Sequence, residues 1–117
     1  MKQLRLDKRC TPKILQDYGF VKHGLNYKLS IPLYAYKRTT VISVNFLVTG
    51  TNDYIGYDVI DNNSDMIYSA YYDTSQTNEN KVLDKIKQKL NKVFEEMVEK
   101  NILEEENENA ELLNLKK

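Results

Sequence analysis

A chain of 117 residues is long enough for one compact domain and too short for two. Hydrophobic residues at 41% and charged residues at 29% exclude a disordered chain. The lone Cys10 excludes an internal disulfide, and no apolar run approaches the ~20 residues a membrane-spanning helix needs.

The net charge of zero conceals a segregation. Residues 1–50 carry nine Lys or Arg against two Asp, whereas residues 51–117 carry eight Lys against fifteen Asp or Glu. Such polarity either follows local structure and intermingles on folding, or forms a basic and an acidic face that can serve a charged partner or head-to-tail self-association.

The chain opens with Met1–Arg9, which lacks the apolar stretch of a signal peptide. With a single cysteine in place of a disulfide framework, the expectation is a cytoplasmic protein. A short helix follows. Thr11 is a good N-cap, Pro12 suits the first helical position, and Gly19 stands where a helix stops. Ile14, Leu15 and Tyr18 share one face, over which Phe20 can fold back.

Residues 25–72 read as antiparallel sheet. Leu25–Tyr36 is strand-like but interrupted by Pro32, which belongs at an edge or a bulge, so this segment is expected to be the edge strand. In Val41–Val48, the residues Ile42, Val44, Phe46 and Val48 alternate with mostly polar neighbours, the pattern of a half-buried strand. Thr49–Asp53 is turn chemistry, with a strand after it at Tyr54–Ile60. Asp61–Asp65 is a second loop, leading to a strand at Met66–Tyr72.

The strongest periodicity runs from Asn78 to Lys100. Val82, Leu83, Ile86, Leu90, Val93, Phe94, Met97 and Val98 recur at three- and four-residue steps, so one apolar stripe should cover one face of the sheet. Asn101-Ile102 resembles a left-handed stop with its hydrophobic contact. The predicted fold is therefore α+β: a short N-terminal helix, a four-stranded antiparallel meander, and a long amphipathic C-terminal helix. It forms a single domain over residues 1–103. Residues 104–117 form an acidic tail, either loose or a short helix docking Leu112 and Leu113.

Chemistry-bearing motifs are scarce. One histidine and one cysteine make no zinc cluster. Asp61, Asn63 and Asp65 imitate the start of a calcium loop, but Met66 stands where glycine is required and Tyr72 where glutamate is. Four scattered glycines form no phosphate-binding loop. His23 and Cys10 lack a third, orienting partner, and Asp58 is expected to face solvent. The expectation is a protein with no catalytic residue, metal or cofactor.

Tyrosine is the remaining signal: eight of the nine fall between residues 27 and 72. They cannot all face the helix, so Tyr34, Tyr36, Tyr68, Tyr71 and Tyr72, with Lys37 and Arg38, are candidates for an interaction surface. The Lys-, Asn- and Tyr-rich composition suits an AT-rich bacterial or phage genome. The functional expectation is a small intracellular binding module acting on protein, itself or another, with a homodimer as one form. The alternative is a single-stranded nucleic-acid binder stacking bases on tyrosines of an open sheet face. Against it, residues 51–80 hold six acidic side chains and no Lys or Arg, which would repel phosphates.

Overall fold

The computed structural model describes residues 2–50, 53–72 and 81–105. The elements in chain order are β1 (Lys2–Arg5), α1 (Pro12–Tyr18), β2 (Val21–His23), β3 (Asn26–Tyr36), β4 (Thr39–Thr49), β5 (Tyr54–Asp61), β6 (Met66–Ile67), α2 (Ser69–Tyr72) and α3 (Lys81–Glu99). The fold is α+β. Among the described residues, six strands form one antiparallel sheet in the order β1-β5-β4-β3-β2, with β6 also on β5.

The central meander β3-β4-β5 follows from pattern. Ile42, Val44, Phe46 and Val48 of β4 lie opposite Asp61, Val59, Tyr57 and Ile55 of β5. On the other side, Val44, Phe46 and Val48 lie opposite Ile31, Leu29 and Tyr27 of β3. These rows form the inner face. Helix α3 lays Leu83, Ile86, Leu90, Val93, Phe94 and Met97 on it, all buried. The Phe94 and Tyr57 rings meet edge-on at 5.4 Å between centroids.

Helix α1 is capped as its sequence demands: Thr11 Oγ1 accepts from the Ile14 N–H, and Gly19 takes φ 127° at the other end. It packs Leu15 and, just beyond it, Phe20 into the same core, and the Tyr18 hydroxyl donates to Glu96 on α3. After α3, Asn101 turns left-handed at φ 62° and the Ile102 N–H bonds the Met97 carbonyl, burying Ile102 completely. Residues 102–104 then run beside β1: the Asp7 N–H bonds the Ile102 carbonyl and the Glu104 N–H bonds the Arg5 carbonyl.

Three expectations need correction. The sheet has six strands, not four, because β1 and β2 are too short to show a period; in β1 only Leu4 is buried. The segment Met66–Tyr72 is a strand for two residues only and then becomes helical. Its Tyr68, Tyr71 and Tyr72 are spaced at i, i+3 and i+4, a helical set, and the Tyr71 N–H bonds the Tyr68 carbonyl. Strand β3 is not a simple edge, since β2 covers Asn26–Lys28. Pro32 sits at a register shift between Pro32 and Tyr34, beyond the reach of β2. There its missing N–H removes no bond from the ladder with β4. Helix α3 begins at Lys81 among the described residues; residues 78–80 of the expected helix lie outside them.

Candidate interaction surface

The β3–β4 connection is a two-residue turn, as short as the Gly24-Leu25 connection between β2 and β3. Tyr36 pairs with Thr39, leaving Lys37 and Arg38 as a two-residue loop. Both stand at positive φ, 49° and 69°, the signature of the type I′ turn that matches strand twist. Asn-Gly or Asp-Gly ordinarily fill that turn, because a side chain at positive φ crowds its own backbone. Here both side chains are long and cationic, and both are exposed. Tyr36 is 59% exposed at the base of the turn, with Lys37 Nζ 5.5 Å from its ring centroid. Among the described residues neither Lys37 nor Arg38 has an ion-pair partner. The last ladder pair between β4 and β5 is Ile42 with Asp61, and Asn62 beyond it still donates to the Val41 and Thr40 carbonyls, so the Tyr36–Thr39 turn alone extends past its neighbour.

The other candidate tyrosines are dispersed. Tyr71 is buried, its hydroxyl 3.0 Å from that of Tyr57, so it belongs to the core and not to a surface. Tyr72 is half-buried and seals the edge of β5 between β1 and β6: its hydroxyl accepts from the Val59 N–H at 2.9 Å. Burial raises its pKa. Tyr34 and Tyr68 are half-buried against the core. Leu112 and Leu113 lie outside the described residues. Of the predicted set, the structure brings together Tyr36, Lys37 and Arg38.

The sheet face away from the helices is lined at its centre by a different set. A shallow depression of about 460 Å³ is bounded by Val21, His23, Lys28, Ser30, Asn45, Leu47 and Asp58. Ser30, Asn45 and Asp58 form one row across three strands. Asp58 is half-buried there, a correction to the expectation that it faces solvent. The exposed tyrosine on this face, Tyr54, is ten strand positions from the hairpin end, so Tyr36 and Tyr54 do not form one stacking platform.

At the end of the sheet opposite the hairpin, Arg5, Leu6, Asp7, Lys8, Cys10, Asp53, Tyr54 and Glu104 line a second depression of about 430 Å³. Arg9 holds the Asp7 carboxylate with Nε at 3.0 Å and Nη2 at 2.9 Å. That pair lowers the Asp7 pKa. Burial pushes the Cys10 thiol up to about 11, which suppresses the nucleophilic thiolate. Among the described residues no three His, Cys, Asp or Glu side chains gather as metal ligands, and no helix is long and apolar enough to cross a membrane.

Sequence periodicity could not find the hairpin tip, because Lys-Arg carries no turn signal. The only available hint was the pair of basic residues between two strand-like runs.

No family model matches the chain, and no curated protein does. Among solved structures, it is similar to a DUF1831 family protein from Lactobacillus plantarum, at 15% identity and a TM-score of 0.64. The match covers 84% of this chain and 82% of that one. At that identity the likeness bears on the α+β fold alone.

Proposed function

We propose that the chain is a non-catalytic, intracellular protein-interaction module whose recognition element is the hairpin tip Tyr36-Lys37-Arg38-Thr39. The carrying observation is the pair of positive-φ cations at an exposed turn that Asn-Gly would close with less strain. Strained backbone at a projecting tip supports a role for the side chains it presents. Tyr and Arg are also the residue types that most often anchor protein interfaces. Two exposed cations that have no ion-pair partner among the described residues, beside an aromatic ring, suit an acidic segment of a protein partner. The suppressed thiol of Cys10 and the engaged carboxylate of Asp7 support the non-catalytic part of the reading.

The test uses the tagged chain as bait in lysate of its source cell, treated with nuclease, beside a Lys37→Glu/Arg38→Glu variant. A protein captured in stoichiometric amount by the wild type and lost from the variant, at unchanged melting temperature, is the expected result. Capture that is equal in both baits would overturn the reading. Capture that disappears on nuclease treatment would transfer the function to nucleic-acid binding.

A further inference from the structure

Resting on the hairpin reading, we propose that the partner of the cationic tip is the acidic C-terminal segment of a second copy of this chain. The segment from residue 104 holds Glu104, Glu105, Glu106, Glu108 and Glu111 before any Lys or Arg appears, at Lys116. It offers the closely spaced carboxylates that the two exposed cations of the tip would take.

Geometry decides between the chain's own segment and another's. The Glu104 N–H bonds the Arg5 carbonyl, and Arg5 lies opposite Tyr54 at the start of β5. The next position, Ile55, pairs with Val48 of β4. From Val48 to Thr39, beside the tip, β4 runs nine residues, about 30 Å at ~3.4 Å per residue. From Glu105 to Glu111 is six residues, about 20 Å fully extended, to which the Glu and Arg side chains add about 10 Å. The path from Arg5 is about 34 Å along β4 from the level of Thr49 and two strand spacings of about 5 Å across the sheet. The acidic run is therefore too short to reach the tip of its own copy. In a second copy the same two poles meet without that constraint.

Made once, a tip-to-tail contact joins copies into rings or open chains; made reciprocally, it closes a two-fold dimer. Ion pairs at an exposed tip are individually weak and screened within about 10 Å at 0.1 M salt. Association is thus strongest at low ionic strength and high protein concentration.

Sedimentation of the full chain tests this with two reversed variants, Lys37→Glu/Arg38→Glu and Glu105→Lys/Glu106→Lys/Glu108→Lys, both checked for wild-type circular dichroism. The wild type is expected to shift to larger species with concentration at about 20 mM salt and to return to monomer at about 500 mM. Each variant alone carries poles of one sign and should stay monomeric. Mixed in equal amounts, the two variants again present opposite poles and should recover the larger species. A wild type monomeric throughout at low salt, a variant that associates alone, or a mixture that does not recover would overturn the proposal. If any of these occurs while the tip variant still loses a different captured protein, self-pairing is wrong and the hairpin reading stands.

Discussion

Lys37 and Arg38 occupy a conformation that costs a non-glycine residue roughly 1–2 kcal/mol each. Replacing them with Asn and Gly should therefore raise stability by about 1–2 kcal/mol, read as a higher denaturation midpoint at unchanged m-value. The same double substitution should weaken partner capture, because it removes both cations. A midpoint equal to or below that of the wild type would mean the turn is not strained. Cys10 gives a second prediction at this scale. With its pKa near 11, about one thiol in a thousand is ionised at pH 8, against about one in ten at the ordinary value of 9.0. Alkylation of the native protein at pH 8 should be on the order of a hundredfold slower than in denaturant and should accelerate as pH approaches 11. Native and denatured rates that agree would show the thiol is not shielded. At Asp7 the sign runs the other way. Its carboxyl is lowered by the Arg9 hydrogen bonds, so its small stabilisation holds above the ordinary value of 3.8 and is lost as pH falls through the folded value.

Among the elements, α2 is held to the sheet by hydrogen bonds where a longer strand would have supplied a ladder. Val59 lies on β5 between the reach of β1 and that of β6. Its N–H is taken by the Tyr72 hydroxyl, and its carbonyl accepts from the Tyr68 N–H. Tyr72→Phe removes the first of these and strands a half-buried donor, a cost of about 1–3 kcal/mol. Amide exchange at Val59 should accelerate while exchange in the β3–β4 ladder stays slow. Unchanged protection of Val59 would show that another group caps it. The β4–β5 turn makes a different demand. A Cβ on Gly50 would lie 2.6 Å from the Leu25 carbonyl oxygen, a backbone atom that cannot swing away. The close approach exists because the Gly50 N–H bonds that same oxygen at 2.8 Å.

Across the whole molecule, the stability resides in one layer of contacts between α3 and the inner sheet face. Leu90→Ala, at a fully buried position, should cost about 2–5 kcal/mol, whereas the neighbouring exposed Lys89→Ala should fall within about 0.5 kcal/mol of wild type. Urea titrations of the two variants measure the contrast. Similar midpoints would place the helix stripe elsewhere than on the sheet. Charge is organised at the same scale: the exposed Lys37 and Arg38 stand at one end of β4, and Glu104 stands beside β1 at the other.

Periodicity carries information about elements long enough to repeat. The stripe from Leu83 to Met97 and the alternation from Ile42 to Val48 each span several periods, so α3, β4 and the meander around it were determined by sequence alone. Thr11, Pro12, Gly19 and Asn101 likewise act through their own backbone preferences, and the helix ends follow from them. What the tertiary structure decided are features in which the deciding partner is remote. Strand β1 exists because β5 and residues 102–104 flank it. Tyr68, Tyr71 and Tyr72 leave the strand because Val59 and Tyr57 offer them hydrogen bonds. The Lys37-Arg38 turn is set by the register of the strands it joins, which overrides the preference of both residues for negative φ. Local propensity is a matter of about 1 kcal/mol per residue, and a buried ladder or core contact outweighs it.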